Sequence, residues 1–340
     1  MSNINEIQTN RRQLLKIGAG LAAVAAVPLA MAQGGTASAV GRKIVPSGAV
    51  NAANAGKINI GSLTVNRLGF GALKITGNND KGWVWGEPEN KAEVLRVLRR
   101  LPELGVDFID TADAYGPFVS EDLIAEALAP YPQGLVVATK GGFVRKDPQT
   151  APWHELGDPA YLEQCIRMSL RRLKLDKLDL WQLHRVDPKR PAKEQYQAMA
   201  KFIEMGLIKQ AGLSEVSVAQ IKEAQKYFPV ASVQNRYNLT YRQHDDVVKY
   251  CEENGIAFIP WWPLDNGNLA QADSPAAAVA QAKGISPAQA AIAWLLHKSP
   301  AILPIPGTSK VAHLEENIAA ASIKLTAAEF AALDKIGVGK

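Results

Sequence analysis

Two hydrophobic periods alternate eight times along this chain, and that alternation limits the fold more than any other feature. Short apolar or β-branched runs recur at Leu68 to Ala72, Phe108 to Thr111, Leu135 to Thr139, Leu178 to Leu183, Ile208 to Leu213, Val230 to Gln234, Ala257 to Trp261 and Ile302 to Ile305. Each has the length of a buried strand. Between them lie stretches such as Lys91 to Leu104, Ala160 to Leu173, Lys193 to Glu204 and His244 to Glu253, whose apolar residues stand three or four apart and so share one face of a helix. Strands joined through helices run parallel, because each crossover returns the chain to the same end of the sheet. Eight such units over about 280 residues predict an α/β fold, a closed (β/α)8 TIM barrel, with a doubly wound open sheet as the alternative. Ile58 to Val65, alternating around Gly61-Ser62, is a hairpin signature placed to plug the barrel's N-terminal end. A further helical pattern, Pro287 to Leu296, falls between the seventh and eighth strands and adds C-terminal helices to the barrel.

The 340 residues divide into three parts. Arg11-Arg12-Gln13-Leu14-Leu15-Lys16-Ile17, the Gly/Ala-rich run Gly18 to Leu29 and the triplet Ala30-Met31-Ala32 resemble a twin-arginine (Tat) signal peptide over residues 1–32, cleaved after Ala32. The apolar run is too short and too weakly hydrophobic to anchor a helix across about 30 Å of hydrocarbon, so no stable membrane anchor is expected. The resemblance implies transit through the Tat translocase to the periplasm or another exported location; the alternative is a cytoplasmic protein with an N-terminal extension. Residues 33–56, rich in Gly, Ala, Ser and Pro without an apolar period, are read as a flexible linker, and residues 57–340 as the barrel domain.

Charge narrows the partners. Lys and Arg number 38 against 33 Asp and Glu, a net +5 without a basic stripe, which excludes nucleic acid. Cleavage after Ala32 carries away three basic residues and one acidic residue and leaves +3. Cys165 and Cys251 both fall in helical patterns and are expected to be buried singly, without a disulfide, and no Cys or His spacing suits a metal.

Proton-capable side chains gather at the predicted strand ends. The second strand runs Phe108-Ile109-Asp110 into Thr111-Ala112-Asp113-Ala114-Tyr115-Gly116, the third ends Thr139-Lys140, and the fourth ends Gln182-Leu183-His184. Taken singly, Asp110 is a turn cap, Tyr115 a rim residue, Lys140 a snorkelling cation and His184 a core histidine. Together they form a general acid, an ammonium that lowers its pKa, a carboxylate that holds the ammonium, and a neutral hydrogen-bond donor. Carbonyl reduction requires that set.

On these motifs, together with Thr139-Lys140-Gly141-Gly142, Gly212-Leu213-Ser214, Gln234 to Leu239 and Ile305-Pro306-Gly307-Thr308-Ser309-Lys310, the chain resembles the aldo-keto reductases over residues 58–337. The resemblance implies an NADP-dependent oxidoreductase acting on a small-molecule aldehyde or ketone, with Tyr115 as proton donor, Lys140 and Asp110 as its tuners and His184 orienting the carbonyl. For NADP(H) it implies Ser214 and Gln234 at the nicotinamide carboxamide, Tyr237 stacked on the ring, and Pro263 and Leu264 beside it. It assigns Gly307, Ser309 and Lys310 to the phosphate, and His313, Glu316 and Asn317 to the adenine. Glu215 stands where relatives carry Asn; a carboxylate accepts from the amide NH2 and cannot donate to its carbonyl. His313 stands where many carry Arg. Trp83 and Trp85 are expected in the substrate pocket, joined by Trp153, Trp261 and Trp262. The segments Gly82 to Pro88, Val233 to Leu239 and Phe258 to Leu264 most resemble the pyridoxal-reducing, pyridoxine 4-dehydrogenase-like branch. A cofactor-loaded barrel that senses redox state or docks on a partner is the alternative function. A metal-dependent hydrolase is disfavoured, since only His184 sits at a strand end.

Overall fold

The computed structural model describes residues 50–77, 84–145 and 153–337. The signal-like segment 1–32, residues 33–49 and Trp83 therefore lie outside the described residues. An antiparallel hairpin, β1 (Lys57–Ile60) and β2 (Leu63–Asn66), turns at Gly61-Ser62, where Gly61 adopts φ 58°. The barrel strands follow: β3 (Phe70–Gly71), β4 (Phe108–Asp110) and β5 (Val136–Gly141). After them comes a short antiparallel arm, β6 (Phe143–Val144) with β7 (His154–Glu155), that the periodicity did not reveal. Then come β8 (Leu178–Leu183), β9 (Ile208–Ser214), β10 (Val230–Gln234) and β11 (Ala257–Phe258). The strands β3, β4, β5, β8, β9, β10 and β11 pair in that order as a parallel sheet.

The sheet closes on itself through residues 301–305. Leu303 N donates to Phe258 O at 2.9 Å and Phe258 N to Ala301 O at 2.8 Å, while Gly69 N donates to Pro304 O at 2.9 Å. The eighth predicted strand therefore bridges β11 and β3 and completes the barrel. Its pairing is sparse because Pro304 and Pro306 have no N–H to donate, and β11 is shorter than the predicted Ala257 to Trp261 because Pro260 cannot extend the ladder.

Helices α1 (Lys91–Glu103), α2 (Val119–Leu128), α3 (Pro159–Leu173), α4 (Ala192–Glu204), α5 (Val218–Ala224), α6 (Asp245–Glu253), α7 (Ala277–Lys283), α8 (Pro287–Lys298), α9 (Val311–Ala319) and α10 (Ala327–Asp334) complete the fold. Capping chemistry fixes several starts. Asp158 accepts from Ala160 N and Tyr161 N ahead of Pro159, and Ser286 forms a capping box with Gln289 ahead of Pro287. Two apolar layers result. Phe108, Val136, Leu180 and Ile259 fill the barrel, and Ile60 and Val65 of the hairpin pack into the same cluster, so the hairpin is the predicted plug. The larger layer lies between strands and helices and includes Trp181, Trp294, Tyr237 and Phe202.

The linker boundary needs correction. Residues 50–56 belong to the fold: Ala52–Ala55 form a turn of 3-10 helix capped by Asn51, and Ala52 is buried with its N–H donated to Leu104 O at 2.8 Å. Cys165 on α3 and Cys251 on α6 are both free and buried. Among the described residues no helix is long and apolar enough to cross a membrane, and no group of three His, Cys, Asp or Glu side chains is placed to hold a metal ion.

Candidate active site

The four predicted residues meet at the carboxyl ends of β4, β5 and β8. Parallel register puts Asp110 opposite Ala138 and Lys140 opposite Gln182, and His184 follows β8 with its N–H donated to Gly141 O at 3.0 Å. Lys140 Nζ donates to Asp110 Oδ1 at 2.6 Å, to Thr111 O at 2.8 Å and to Tyr115 Oη at 3.4 Å. Asp110 Oδ2 accepts from Gln182 Nε2 at 3.0 Å and Gln234 Nε2 at 2.8 Å. The carboxylate thus accepts three bonds, and the ammonium, with two of its three N–H bonds committed to Asp110 and Thr111, has one left for the phenol. The Tyr115 and His184 rings meet edge to face, 6.0 Å between centroids.

Burial governs the electrostatics here. It opposes the Lys140 charge, yet Asp110 and Tyr115 outweigh it and the ammonium titrates above the ordinary lysine range. The tyrosine corrects the sequence reading: burial raises its pKa more than Lys140 lowers it, so Tyr115 remains a protonated phenol at neutral pH. A proton donor needs that state. His184 is driven well below its ordinary pKa by burial, by Arg185 and by Lys140, and is a neutral imidazole whose Nδ1 is buried without a hydrogen-bond partner.

Just behind the tetrad, Asp113 shares a buried cluster with Glu121. Glu121 accepts from Thr139 Oγ1 and Arg172 Nε, both at 2.6 Å. Burial, then the Glu121 charge, push Asp113 up to about 7. An unfolded aspartate ionises near 4, so between about 4 and 7 the folded state binds the extra proton and stability falls as pH rises through that window. Asp113→Asn, which mimics the protonated form, is expected to raise the melting temperature at pH 8 by several degrees, for about 2–4 kcal/mol, with the gain vanishing towards pH 4. Thermal melts of both proteins across pH 4–8 check this; a pH-independent difference would refute it.

A cavity of about 520 Å³ opens above the tetrad, with Asp110, Tyr115 and His184 in its wall, and runs to Ser214, Gln234, Pro263, Leu264 and Gly307 to Ser309. Those cofactor assignments are brought together. Several others change. Tyr237 is fully buried away from the cavity, stacked on Trp294 at 5.9 Å and hydrogen-bonded to Asp245 Oδ1 at 2.5 Å, so it cannot lie against a nicotinamide. The aromatic surfaces at the mouth are Trp153, Trp261 and Trp262 with Phe143. Glu215 does not line the cavity either: its Oε1 accepts from Trp261 Nε1 and Arg236 N, both at 2.6 Å, so the carboxylate fixes the indole. Ser214 Oγ accepts from Arg185 at 2.9 Å. Lys310 and His313 are exposed on or before α9, Glu316 is half-buried and Asn317 buried, and all four lie outside the cavity wall. Trp85 reaches the wall through Arg145, whose guanidinium lies 5.0 Å from its ring centroid.

Sequence reasoning missed Gln182, Phe143, Arg145 and Arg185 as site residues. Gln182 and Arg185 flank the Leu183-His184 pair and stood in plain view; Arg145 and Phe143 needed the β6–β7 arm, which carries no strand period long enough to read.

The model of the aldo/keto reductase family matches residues 67–338. An uncharacterized oxidoreductase of Schizosaccharomyces pombe is 52% identical over 295 residues, covering 87% of this chain and 94% of that protein. Pyridoxine 4-dehydrogenase of Escherichia coli is 40% identical over 283 residues, covering 82% and 96%. A Klebsiella pneumoniae aldo/keto reductase solved with NADP and acetate superposes with a TM-score of 0.67 at 27% identity, covering 81% of this chain and 92% of that one.

Proposed function

The chain belongs to the aldo/keto reductase family, and on that premise we propose that it is an exported NADP(H)-dependent reductase that converts an aldehyde or ketone to an alcohol, with Tyr115 as the proton donor. The observation that carries this reading is the relay from Asp110 through Lys140 Nζ to the Tyr115 phenol, 2.6 and 3.4 Å per step, in the wall of the cavity. When bound, the cofactor supplies a hydride to the carbonyl carbon. The chain's own residues do the rest. Tyr115 passes its phenolic proton to the carbonyl oxygen, and Lys140 stabilises the phenolate that remains. Asp110 keeps Lys140 charged and aimed, and the neutral His184 orients the oxygen by a hydrogen bond.

The donors beyond β11 and β3 fit a dinucleotide. Thr308 and Ser309 bring hydroxyls to the cavity and Lys310 an ammonium ahead of α9, a set suited to a phosphate. Glu93 Oε1 already accepts from Val311 N at 3.0 Å, so the hydroxyls and Lys310 carry that role. Ser214 and Gln234 serve the carboxamide, Trp261 offers the ring face that Tyr237 does not, and His313, Glu316 and Asn317 stand along α9 for the adenine. The name of the E. coli relative makes pyridoxal the first carbonyl to assay.

The test uses the full chain expressed in a bacterium with a Tat pathway. The protein recovered from the periplasm is expected to begin at Gln33 and to oxidise NADPH faster than NADH with pyridoxal or benzaldehydes. A full-length cytoplasmic product refutes export. Cofactor binding without turnover on any carbonyl refutes the reductase reading in favour of a cofactor-loaded sensing barrel.

A further inference from the structure

Resting on the reductase reading, we infer that the substrate carries an anionic group, a carboxylate or a phosphate, which Arg145 and Arg185 hold on the cavity wall beside His184. Arg145 is 7% exposed and lines the cavity. Its guanidinium is clamped between the Trp85 ring at 5.0 Å and the Trp153 ring at 4.3 Å. Nη1 donates to Val84 O, and Nη2 is buried with no hydrogen-bond partner. Arg185 donates through Nη1 to His184 O at 2.6 Å and Ser214 Oγ at 2.9 Å, above the Phe143 ring.

Neither arginine has a carboxylate within ion-pair distance among the described residues. Glu215 and Glu155 act on Arg185 only from farther away, and among the described residues no charged group shifts Arg145, whose pKa burial lowers. Asp110 is the one acidic side chain in the described wall, and it is committed to Lys140. A buried guanidinium without a counter-ion is costly unless a ligand supplies one. Here the aromatic clamp fixes the plane of the fork and leaves an edge N–H unmet, the arrangement that oxyanions satisfy.

Spacing limits the class further. The Trp153 ring lies 4.3 Å from the Arg145 guanidinium and 6.3 Å from the His184 imidazole, so the spacer between the anion and the reacting carbonyl is no longer than about one aromatic ring. A formyl group across a ring from a carboxylate fits, as does a short aldehyde acid or a phosphorylated aldehyde of that length.

The decisive comparison pairs substrates that differ chiefly in the anionic group: 4-carboxybenzaldehyde with methyl 4-formylbenzoate, and pyridoxal 5′-phosphate with pyridoxal, the latter pair compared per free aldehyde because only pyridoxal closes to a hemiacetal, on the full chain with saturating NADPH. The anionic member of at least one pair is expected to lead in kcat/KM by about 10-fold or more. The pair that shows the preference distinguishes carboxylate from phosphate. Arg145→Met is expected to remove that preference, cutting kcat/KM for the anion by about 10- to 100-fold while the neutral partner changes by less than about 3-fold. Arg145→Lys should restore part of it. Calorimetric titration of NADPH-loaded protein with 4-(hydroxymethyl)benzoate, an alcohol that the reduced cofactor cannot convert, should show the same loss of affinity without turnover. Equal kcat/KM within both pairs overturns the proposal and leaves the reductase reading standing. Equal losses on both members, or weakened NADPH binding in Arg145→Met, also overturn it, the latter by assigning Arg145 to the cofactor. Should Arg145→Met fail to fold, the wild-type pairs decide alone. No turnover of any carbonyl sinks the reductase reading itself.

Discussion

Tyr115→Phe is expected to lower kcat for carbonyl reduction by about 10²- to 10⁴-fold and leave NADPH affinity within a factor of about 2. The ring stays and keeps its edge contact with His184 and the Lys140 ammonium 5.1 Å from its centroid. Only the hydroxyl is lost, so the effect isolates proton donation. The sign of the pH dependence follows from the raised pKa. Reduction needs the phenol, and the phenol persists until pH exceeds a value above the ordinary tyrosine range. The Tyr115-dependent part of kcat/KM should therefore stay flat from pH 6 to about 10 and fall only beyond it. A fall centred near pH 7 would remove Tyr115 from the donor role, as would a variant retaining more than about a tenth of wild-type turnover.

Lys140→Met should destabilise the fold by about 3–5 kcal/mol, besides suppressing turnover, because it strands Asp110 in a site with almost no solvent contact. Gln182 and Gln234 still donate to Oδ2, but Oδ1 loses its cation. Adding Asp110→Asn to that variant should recover much of the loss, since the pair then leaves together and no buried charge is orphaned. Thermal unfolding of the single and double variants tests this. A double variant as unstable as Lys140→Met would mean that packing, and not the stranded carboxylate, sets the cost.

Much of this arrangement is readable from the chain, and the exceptions have physical causes. Leu178–Leu183 and Val230–Gln234 have the predicted bounds because both strands lie inside the sheet, where apolar runs and ladder length coincide. Strands at the seam fall short, because Pro260, Pro304 and Pro306 withhold donors that an apolar run conceals. The tetrad is legible because Asp110 and Lys140 end strands, His184 follows one directly and Tyr115 stands five residues beyond Asp110, so spacing sets their positions. Tyr237 misled because it follows Gln234 by only three residues, yet the chain has already turned there: Asn238 bridges to Tyr241, and the ring drops between β11 and α8. Glu215 resembles a ligand-binding residue until Trp261 arrives 46 positions later to take its oxygen. Pairings across such separations leave no local period to detect.

The β6–β7 arm separates two jobs that many catalysts entangle. The groups proposed to deliver the proton stand on or just beyond the carboxyl ends of β4, β5 and β8, whereas Phe143, Arg145 and Trp153 hang from a two-residue pair outside the barrel sheet. Substitutions in the arm can thus remodel which molecule is admitted without touching the barrel ladder, although Phe143 and Trp153, whose rings lie 5.0 and 6.3 Å from the His184 imidazole, also set the place of that one reacting group. A lineage built this way can diversify its diet by editing one short ribbon, and a protein engineer can do the same.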